Sequence, residues 1–341
     1  MVLPNLPCYR EFDFRYLVMM VLPVTNVLMP VFALLIIHHS ISSLKTMRSV
    51  LAALNLLCIV LVLFILFSSG FDVNLPNNRV EQRISQTPIP AAITFAGETV
   101  PLYDREVRER LDRELTNVTH QHSSTIRVMK LVQRYLPVIE DLLRRNGIPD
   151  DFKYLAIAES GLENVTSSKG AKGVWQFMDA TATQYGLEIS NEVDERLHLE
   201  KSTIAACSYL RSAYQRFGSW TMAAAAYNRG SAGMSEHTAE QQENSFYNLY
   251  LNSETSRYIF RILAFKQVLS NSQDYGYYFT SEDFYPATAT KLVQVTNISD
   301  IATFARSYNT NYKTIKLLNP WLRSTALRGK NGKAYNVEVP L

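Results

Sequence analysis

The sequence predicts a mainly α-helical protein with an apolar N-terminal segment and a small α+β unit at its C-terminus. Three observations support this fold class: a long apolar run near the start, apolar residues at three- and four-residue spacing through the middle, and a strand, helix, helix, strand pattern at the end. A chain of 341 residues with 47% hydrophobic content can fill more than one core. We therefore expect an anchor region (1–70), a tether (71–90), a helical domain (91–276) and a C-terminal domain (290–341).

Composition excludes several classes of function. The net charge is only +3 and no dense stripe of lysine and arginine occurs, so a nucleic-acid partner is not expected. Cys8, Cys58 and Cys207 are far apart, which indicates neither a disulfide framework nor a thiolate metal site. The histidines lack the paired spacing of a zinc site. We expect no metal and no cofactor.

The apolar run of residues 50–67 contains one polar residue, Asn55, and is long enough to cross a bilayer. Lys45 and Arg48 precede it and Asp72 follows it, so the positive-inside bias places the bulk of the chain on the outer face of the membrane. We interpret this run as a membrane anchor. A cleaved signal peptide, which would give a secreted form, is the alternative.

A second apolar stretch, residues 16–37, is interrupted by Pro23 and Pro30. It is either an additional span or a segment outside the translated protein, if translation begins at Met47. Beyond Asp72 the chain loses periodicity and is rich in Asn, Gln and Pro, which is typical of an extended tether.

Helical spacing starts in the next part of the chain. It predicts helices over 107–114, 126–136 and 138–146, the last of them capped by Gly147. In the following segment, IPDDFKYLAIAESG, Pro149 suits a helix start and Gly161 suits a helix end. Glu159 therefore falls in the last turn of a helix.

Glu159 shares a helix face with Phe152, Leu155 and Ala156, so its carboxyl should point towards apolar surroundings. Desolvation raises the pKa of a carboxyl, and this favours a general acid near neutral pH. The alternative is a glutamate at the domain boundary that is paired with a lysine.

Polar and aromatic residues follow Glu159 in three further segments. A glycine-rich loop carries Ser167, Trp175 and Gln176, and the ring of Trp175 either faces a sugar or fills the core. Tyr227 and Asn228 end a helix beside Gly230, where Asn228 either lines a cleft or assists the helix cap. On a later apolar helix, Tyr258 is either a core residue or reaches the acid.

These segments, AESGLENVTSSKGAKGVWQFM, AAAAYNRG and ETSRYIFRILAFK, resemble in order the lysozyme-like lytic transglycosylases of the soluble type, over about residues 89–276. The resemblance implies a lysozyme-like helical domain that acts on peptidoglycan, with Glu159 as the catalytic acid and base. It also implies that Ser160 stands beside the acid in the ES pair and that five further residues occupy cleft positions: Ser167, Gln176, Tyr227, Asn228 and Tyr258. From its place in the glycine-rich loop we expect Trp175 to face the cleft and bind substrate as well.

The chain departs from the family pattern in two places. Asp179 stands where a proline is usual. The lipoprotein signal of relatives is missing, which implies an inner-membrane anchor with the catalytic domain on the periplasmic face.

The number of carboxylates bears on the mechanism. Ordinary glycosidases need two, and the cleft segments supply only Glu159, since Glu163 and Glu188 lie in loop-like contexts. One acid predicts a 1,6-anhydro product, which fits N-acetylmuramic acid at the cleaved position. The resemblance implies that the bond cleaved is its β-1,4 link to N-acetylglucosamine in peptidoglycan. A hydrolysing muramidase and a catalytically silent wall-binding scaffold are the alternatives.

The last fifty or so residues predict a strand at KLVQVTN, helices at ISDIATFARSYN and YKTIKLLNPWL, and a strand at KAYNVEVP. This βααβ order resembles a LysM peptidoglycan-binding module. Residues 297–300 replace the usual Gly-Asp-Thr opening.

Overall fold

The computed structural model describes residues 44–68, 85–329 and 332–341. Two compact units divide the chain near residue 84. In the first, helix α1 (Leu44–Ser68) covers the apolar run of residues 50–67. No helix among the described residues combines the length and the hydropathy that crossing a bilayer requires. The anchor over 50–67 stays a prediction, and the span over 16–37 and most of the tether lie outside the described residues.

The second unit is mainly α-helical. It opens with a hairpin of β1 (Thr94–Phe95) and β2 (Glu98–Thr99). The α-helices of its helical domain are α2 (Arg105–His120), α3 (His122–Arg145), α4 (Phe152–Ser160), α5 (Asp179–Gln184), α6 (Leu199–Phe217), α7 (Trp220–Arg229), α8 (Ser231–Gln241) and α9 (Ser253–Ser270). Helix α9 is central, because it packs against α2, α4 and α7. Fully buried side chains such as Leu111, Ile139, Phe152 and Phe260 fill the core between them.

Local sequence signals fix the helix ends near the site. Gly161 ends α4 in the left-handed conformation (φ 63°), as glycine does at helix C-termini. Gly218 (φ 67°) ends α6, and the Ser219 hydroxyl then accepts a hydrogen bond from the backbone of Met222 to cap α7. The carboxylate of Glu98 also accepts from the backbone of Trp220 (2.6 Å), which places negative charge at the same helix start. These contacts fix α4 and α7, which carry the candidate site.

Helix α3 corrects a prediction, because the two helices predicted over 126–136 and 138–146 are one helix, His122–Arg145, which passes through Pro137 and has Asn146 as its C-cap. A proline in a helix removes the hydrogen bond to the carbonyl four residues earlier. Gln133 and Pro137 are both exposed, so water can satisfy that carbonyl. Ile139 and Leu143 continue the buried face beyond the proline, which keeps the helix in register with the core.

The C-terminal module has the predicted strand, helix, helix, strand order. Strand β3 (Thr290–Val295) pairs antiparallel with β6 (Tyr335–Pro340), and α10 (Ile301–Ser307) and α11 (Tyr312–Leu318) lie between them in sequence. An additional short pair, β4 (Asn297–Ile298) with β5 (Leu327–Arg328), was not predicted. The amide of buried Asn319 bonds both α11 and β6 and closes the module.

The C-terminal module packs against the helical domain. Val193 and Leu197, from the segment 188–198 of the helical domain, are part of its hydrophobic core. The backbone of Asp194 donates to the Trp321 carbonyl (2.9 Å), and the backbone of Arg323 donates to the Glu192 carbonyl (2.7 Å). The module is thus docked on the helical domain through a shared core and backbone hydrogen bonds.

Candidate active site

Glu159 lies in the last turn of α4, as predicted, and is half-buried. Its Oε1 accepts a hydrogen bond from the hydroxyl of Tyr258. Burial raises the pKa of Glu159 to about 7, while the Tyr258 hydrogen bond and the charge of Arg261 act in the opposite direction. Within the described part of the chain no lysine or arginine forms an ion pair with Glu159. The paired-glutamate alternative therefore does not hold, and the carboxyl can exchange a proton near neutral pH.

Two tyrosines stand beside this carboxyl. Tyr258 is buried (2% exposed) and donates to Glu159, so it is both a core residue and a partner of the acid. The Tyr227 hydroxyl donates instead to the carbonyl of Trp175 (2.8 Å). Burial, and next the charge of Glu159, raise the pKa of both phenols well above the ordinary value, so both remain hydrogen-bond donors.

The glycine-rich loop is tied to the end of α4 by the predicted residues. The Ser160 hydroxyl donates to the carbonyl of Val174 (2.8 Å), and the Ser167 hydroxyl accepts from the backbone of Ala171 (3.0 Å). Gln176 adopts a left-handed backbone conformation (φ 49°), and its Nε2 donates to the carbonyls of Gly173 (2.8 Å) and Val165 (3.1 Å). These bonds orient the Gln176 amide and leave its oxygen without a partner among the described residues.

Trp175 corrects the prediction that it faces the cleft. It is 0% exposed, and its indole N–H donates to the hydroxyl of Thr203 on α6 (2.8 Å). A buried indole needs such a partner, and with it the ring fills the core. Its ring edge contacts Tyr227 (centroids 6.3 Å apart), so Trp175 supports a neighbour of Glu159 and does not stack on a sugar.

Asn228 does not act as a helix cap. Its Oδ1 accepts from the Thr255 hydroxyl (2.9 Å), and its Nδ2 donates to the Glu254 carboxylate (3.4 Å). The backbone of Gly230 makes the capping bond of α7 to the Ala226 carbonyl. Asn228 therefore joins the end of α7 to the start of α9, which carries Tyr258.

A cavity of about 560 Å³ adjoins Glu159, and most of the residues that line it were not predicted. It is lined by Glu159 and Ser160 together with polar and charged side chains of α2, α3, α9 and the loop after α4: Glu114, Asn117, Ser123, Ser124, Arg127, Glu163, Arg257 and Arg261. Ser167, Gln176, Tyr227, Asn228 and Tyr258 are not among its lining residues. In the sequence, the cationic residues of this cavity were indistinguishable from solvated helix faces. Only the packing of α2 on α9 and of α3 on α4 reveals that they line a common wall.

Each of the two other carboxylates that line the cavity forms an ion pair with arginine. Glu163 pairs with Arg127 (2.5 Å). Glu114, which is buried, pairs with Arg257 (2.6 Å) and Arg113 (3.3 Å). Glu188, the remaining acid considered in the sequence, instead accepts from the Tyr335 hydroxyl (3.0 Å) at the C-terminal module. Glu159 is thus the carboxyl of this cavity that has no cationic partner.

A buried arginine that was also not predicted holds the Gln176 loop. Arg196 is 2% exposed, and its Nε and Nη2 donate to the Asp194 carboxylate (2.8 and 2.7 Å). Its Nη1 bonds Asp179, the residue that replaces the family's proline. The backbone of Gly173 approaches so closely that an added Cβ would lie 1.9 Å from the Arg196 carbonyl oxygen. The position of the loop that carries Gln176 therefore depends on the position of segment 188–198.

Comparison with known proteins agrees with this architecture. Residues 137–250 match the family described as Transglycosylase SLT domain, and residues 291–341 match the Soluble lytic transglycosylase C-terminal LysM-like domain. The chain therefore contains an SLT transglycosylase domain followed by a LysM-like C-terminal domain.

It is distantly homologous to Membrane-bound lytic murein transglycosylase D of Escherichia coli strain K12 and of E. coli strain CFT073, with 28% identity over 247 residues in each case. The matched region covers 71% of this chain and 53% of each relative. The chain spans about half the length of the curated relatives it matches.

Proposed function

We propose that this protein is a peptidoglycan lytic transglycosylase that cleaves the β-1,4 bond between N-acetylmuramic acid and N-acetylglucosamine and forms 1,6-anhydromuramic acid. The observation that carries the proposal is the state of Glu159, whose pKa is about 7 and whose carboxyl accepts from Tyr258. The match of residues 137–250 to the SLT domain supports the same reaction class.

A single acid can carry out both proton transfers. Protonated Glu159 donates to the bridging oxygen, the bond to C1 breaks, and the sugar's acetamido oxygen stabilises the cation. Glu159, now a carboxylate that accepts from Tyr258, removes the proton of the C6 hydroxyl as O6 bonds to C1. Glu159 regains its proton, and no water is added to the product.

The neighbouring loop and helix end supply the groups for orienting the substrate. The free amide oxygen of Gln176 can accept from a hydroxyl or an acetamido N–H of the glycan. Ser160, Ser167 and Asn228 act by positioning, since their side chains bond the protein. Tyr227 has the same role through the carbonyl of Trp175.

Isosteric substitution tests the role of Glu159 directly. Glu159→Gln removes the proton and keeps the shape, so we expect release of soluble fragments from purified peptidoglycan to fall at least about a hundredfold. Glu163→Gln addresses hydrolysis, because Glu163 lines the same cavity and is therefore a candidate for a second acid. We expect Glu163→Gln to retain cleavage. Substantial activity of Glu159→Gln would refute the assignment, and equal losses in both variants would favour the two-carboxylate muramidase.

We propose peptidoglycan as the partner of the C-terminal module as well, on the basis of its LysM-like match. A preparation that neither cleaves nor releases glycan but still binds it would instead support the scaffold alternative. We further propose that the apolar run of 50–67 anchors the protein in the inner membrane with the catalytic domain in the periplasm. The support is the run's composition and the Lys45 and Arg48 flank. Release of the full chain from membranes by alkaline carbonate would contradict this anchor.

A further inference from the structure

Arg261 differs from the other two arginines of the cavity beside Glu159. Arg127 pairs with Glu163 and Arg257 pairs with Glu114. Arg261, which is half-buried on α9 one turn after Tyr258, has no carboxylate within ion-pair distance in the described part of the chain. A half-buried guanidinium without an acceptor is costly unless a ligand or solvent satisfies it.

The charge of the cavity points to an anionic ligand. Three arginines and two ion-paired glutamates line it, which leaves one positive charge in excess while Glu159 is protonated for its role as an acid. An anionic group entering the cavity would meet the guanidinium of Arg261 with bidentate geometry.

The volume and lining of the cavity suit a peptide better than a phosphate. Its volume of about 560 Å³ is within the range that holds a multi-residue ligand. Apolar side chains line part of it, including Val118, Val128 and Phe265, and the amide of Asn117 and the hydroxyls of Ser123 and Ser124 provide hydrogen-bonding groups. N-acetylmuramic acid carries a lactyl ether, and in peptidoglycan the carboxyl of that ether bears a short peptide with its own carboxylates.

We propose that Arg261 binds a carboxylate of the peptide stem on the muramic acid at which cleavage occurs, and so makes the enzyme selective for stem-bearing strands. This inference rests on the proposed function. Glu159 must lie near the scissile bond, and it lines the same cavity, so the side group of the reacting sugar is the part of the substrate that reaches Arg261.

The same contact adjusts the acid. The charged or titratable groups that act on Glu159 are Tyr258, Arg261 and Glu254 of α9 and Tyr227 of α7. The charge of Arg261 lowers the pKa of Glu159. A bound carboxylate neutralises that charge and raises the pKa, so Glu159 keeps its proton to higher pH in the complex than in the free enzyme.

Three soluble glycan preparations test the proposal: strands with intact stems, strands whose stem carboxylates have been converted to amides, and strands from which an amidase has removed the stems to expose the lactyl carboxylate. The full chain, Arg261→Gln, Arg261→Lys and Arg108→Gln are compared. Arg108 is an exposed arginine of α2 outside the cavity, and its substitution is the matched loss of one positive charge.

For the unmodified protein we expect a KM about tenfold lower on intact than on amidated strands, since a hydrogen bond to a charged group has about this effect. Arg261→Gln should raise KM on intact strands by about the same factor and leave amidated strands unaffected. Arg261→Lys should restore part of the preference, and Arg108→Gln should retain all of it. With intact strands, kcat of the unmodified protein should decline at a higher pH than its kcat/KM does, because kcat reports the pKa of Glu159 in the complex and kcat/KM reports the pKa in the free enzyme. In Arg261→Gln the two parameters should decline at the same pH.

Two results would overturn the proposal. One is that Arg261→Gln changes KM equally on intact and amidated strands, and the other is that kcat and kcat/KM of the unmodified protein decline at the same pH on intact strands. If Arg261 lowers KM only for strands without stems, the stem proposal is wrong and the carboxylate that Arg261 binds is that of the lactyl ether. Affinities from calorimetry with the same strands do not depend on turnover. Cleavage without a preference for stem-bearing strands would therefore contradict the Arg261 proposal alone. Stem-dependent binding without anhydro products would contradict the proposed reaction but would still support the binding site at Arg261.

Discussion

Replacing Tyr258 with phenylalanine isolates the hydrogen bond that the carboxyl of Glu159 accepts from the Tyr258 hydroxyl. The variant removes the hydroxyl that donates to Oε1 and leaves the buried ring in place. The hydroxyl stabilises the ionised carboxylate, so it lowers the pKa of Glu159, and burial raises that pKa to about 7 in spite of it. Tyr258→Phe should therefore raise the pKa further.

The size of the effect follows from hydrogen-bond energetics. A hydrogen bond to a charged group contributes about 1.5–3 kcal/mol, and about 1.4 kcal/mol corresponds to a change of one in pKa. Glu159 is half-buried and water can replace part of the bond, so we take the lower end and expect a rise of about one. The protonated acid is the active form, so activity that declines above about pH 7 in the unmodified protein should decline above about pH 8 in the variant.

The assay is the pH dependence of kcat/KM on soluble glycan strands. Tyr227→Phe is the matched control, because its hydroxyl bonds the Trp175 carbonyl and not Glu159. This control can lower the rate, but its alkaline limb should stay near that of the unmodified protein. An unchanged or downward-shifted limb in Tyr258→Phe would refute the hydrogen bond as a determinant of the acid's pKa.

Three stability predictions follow from buried or constrained groups. The pKa of Glu159 is about 7 in the folded protein, whereas its ordinary value is 4.5. The contribution of this carboxyl to the stability of the folded protein is therefore complete below about pH 4.5 and is lost as the pH rises through 7. In urea unfolding, the free energy of unfolding of Glu159→Gln should exceed that of the unmodified protein by about 3 kcal/mol at pH 8 and by little at pH 4. A difference that does not depend on pH would contradict this. Arg196→Met removes the arginine that pairs with the buried Asp194 and leaves the Lys172 pair (3.2 Å) in place. It should lower the free energy of unfolding by about 3 kcal/mol, whereas a loss below about 1 kcal/mol would show that the Arg196–Asp194 pair is dispensable. Pro137→Ala restores a donor within α3 and should stabilise the protein by about 1 kcal/mol or more in thermal unfolding, and destabilisation would mean that the proline shapes the helix.

The local features of the site were accessible from sequence because short-range chemistry sets them. Gly161 fixes where α4 ends, and the apolar spacing of Phe152, Leu155 and Ala156 fixes the face on which Glu159 lies. The predicted elevation of the Glu159 pKa agrees with the structure, because desolvation is its largest cause. The strand, helix, helix, strand order of the C-terminal module was predicted for the same reason.

The features that were missed depend on contacts between distant segments. Trp175 has the same local sequence whether it faces a sugar or the core, and the hydroxyl of Thr203, 28 residues later, decides the outcome. The continuity of α3 depends on the exposure of Pro137, which only the packing of that helix sets. Arg196 and Arg261 carry no local signal that separates a buried or unpaired arginine from a solvated one.

The mass of the products tests the central claim most directly. The full chain is incubated with purified peptidoglycan, and the released fragments are analysed by mass spectrometry, with Glu159→Gln as the blank. The mechanism derived from Glu159 predicts fragments that end in 1,6-anhydromuramic acid and are lighter by one water than hydrolysis products. Fragments with reducing ends would contradict it and identify a lysozyme-type hydrolase.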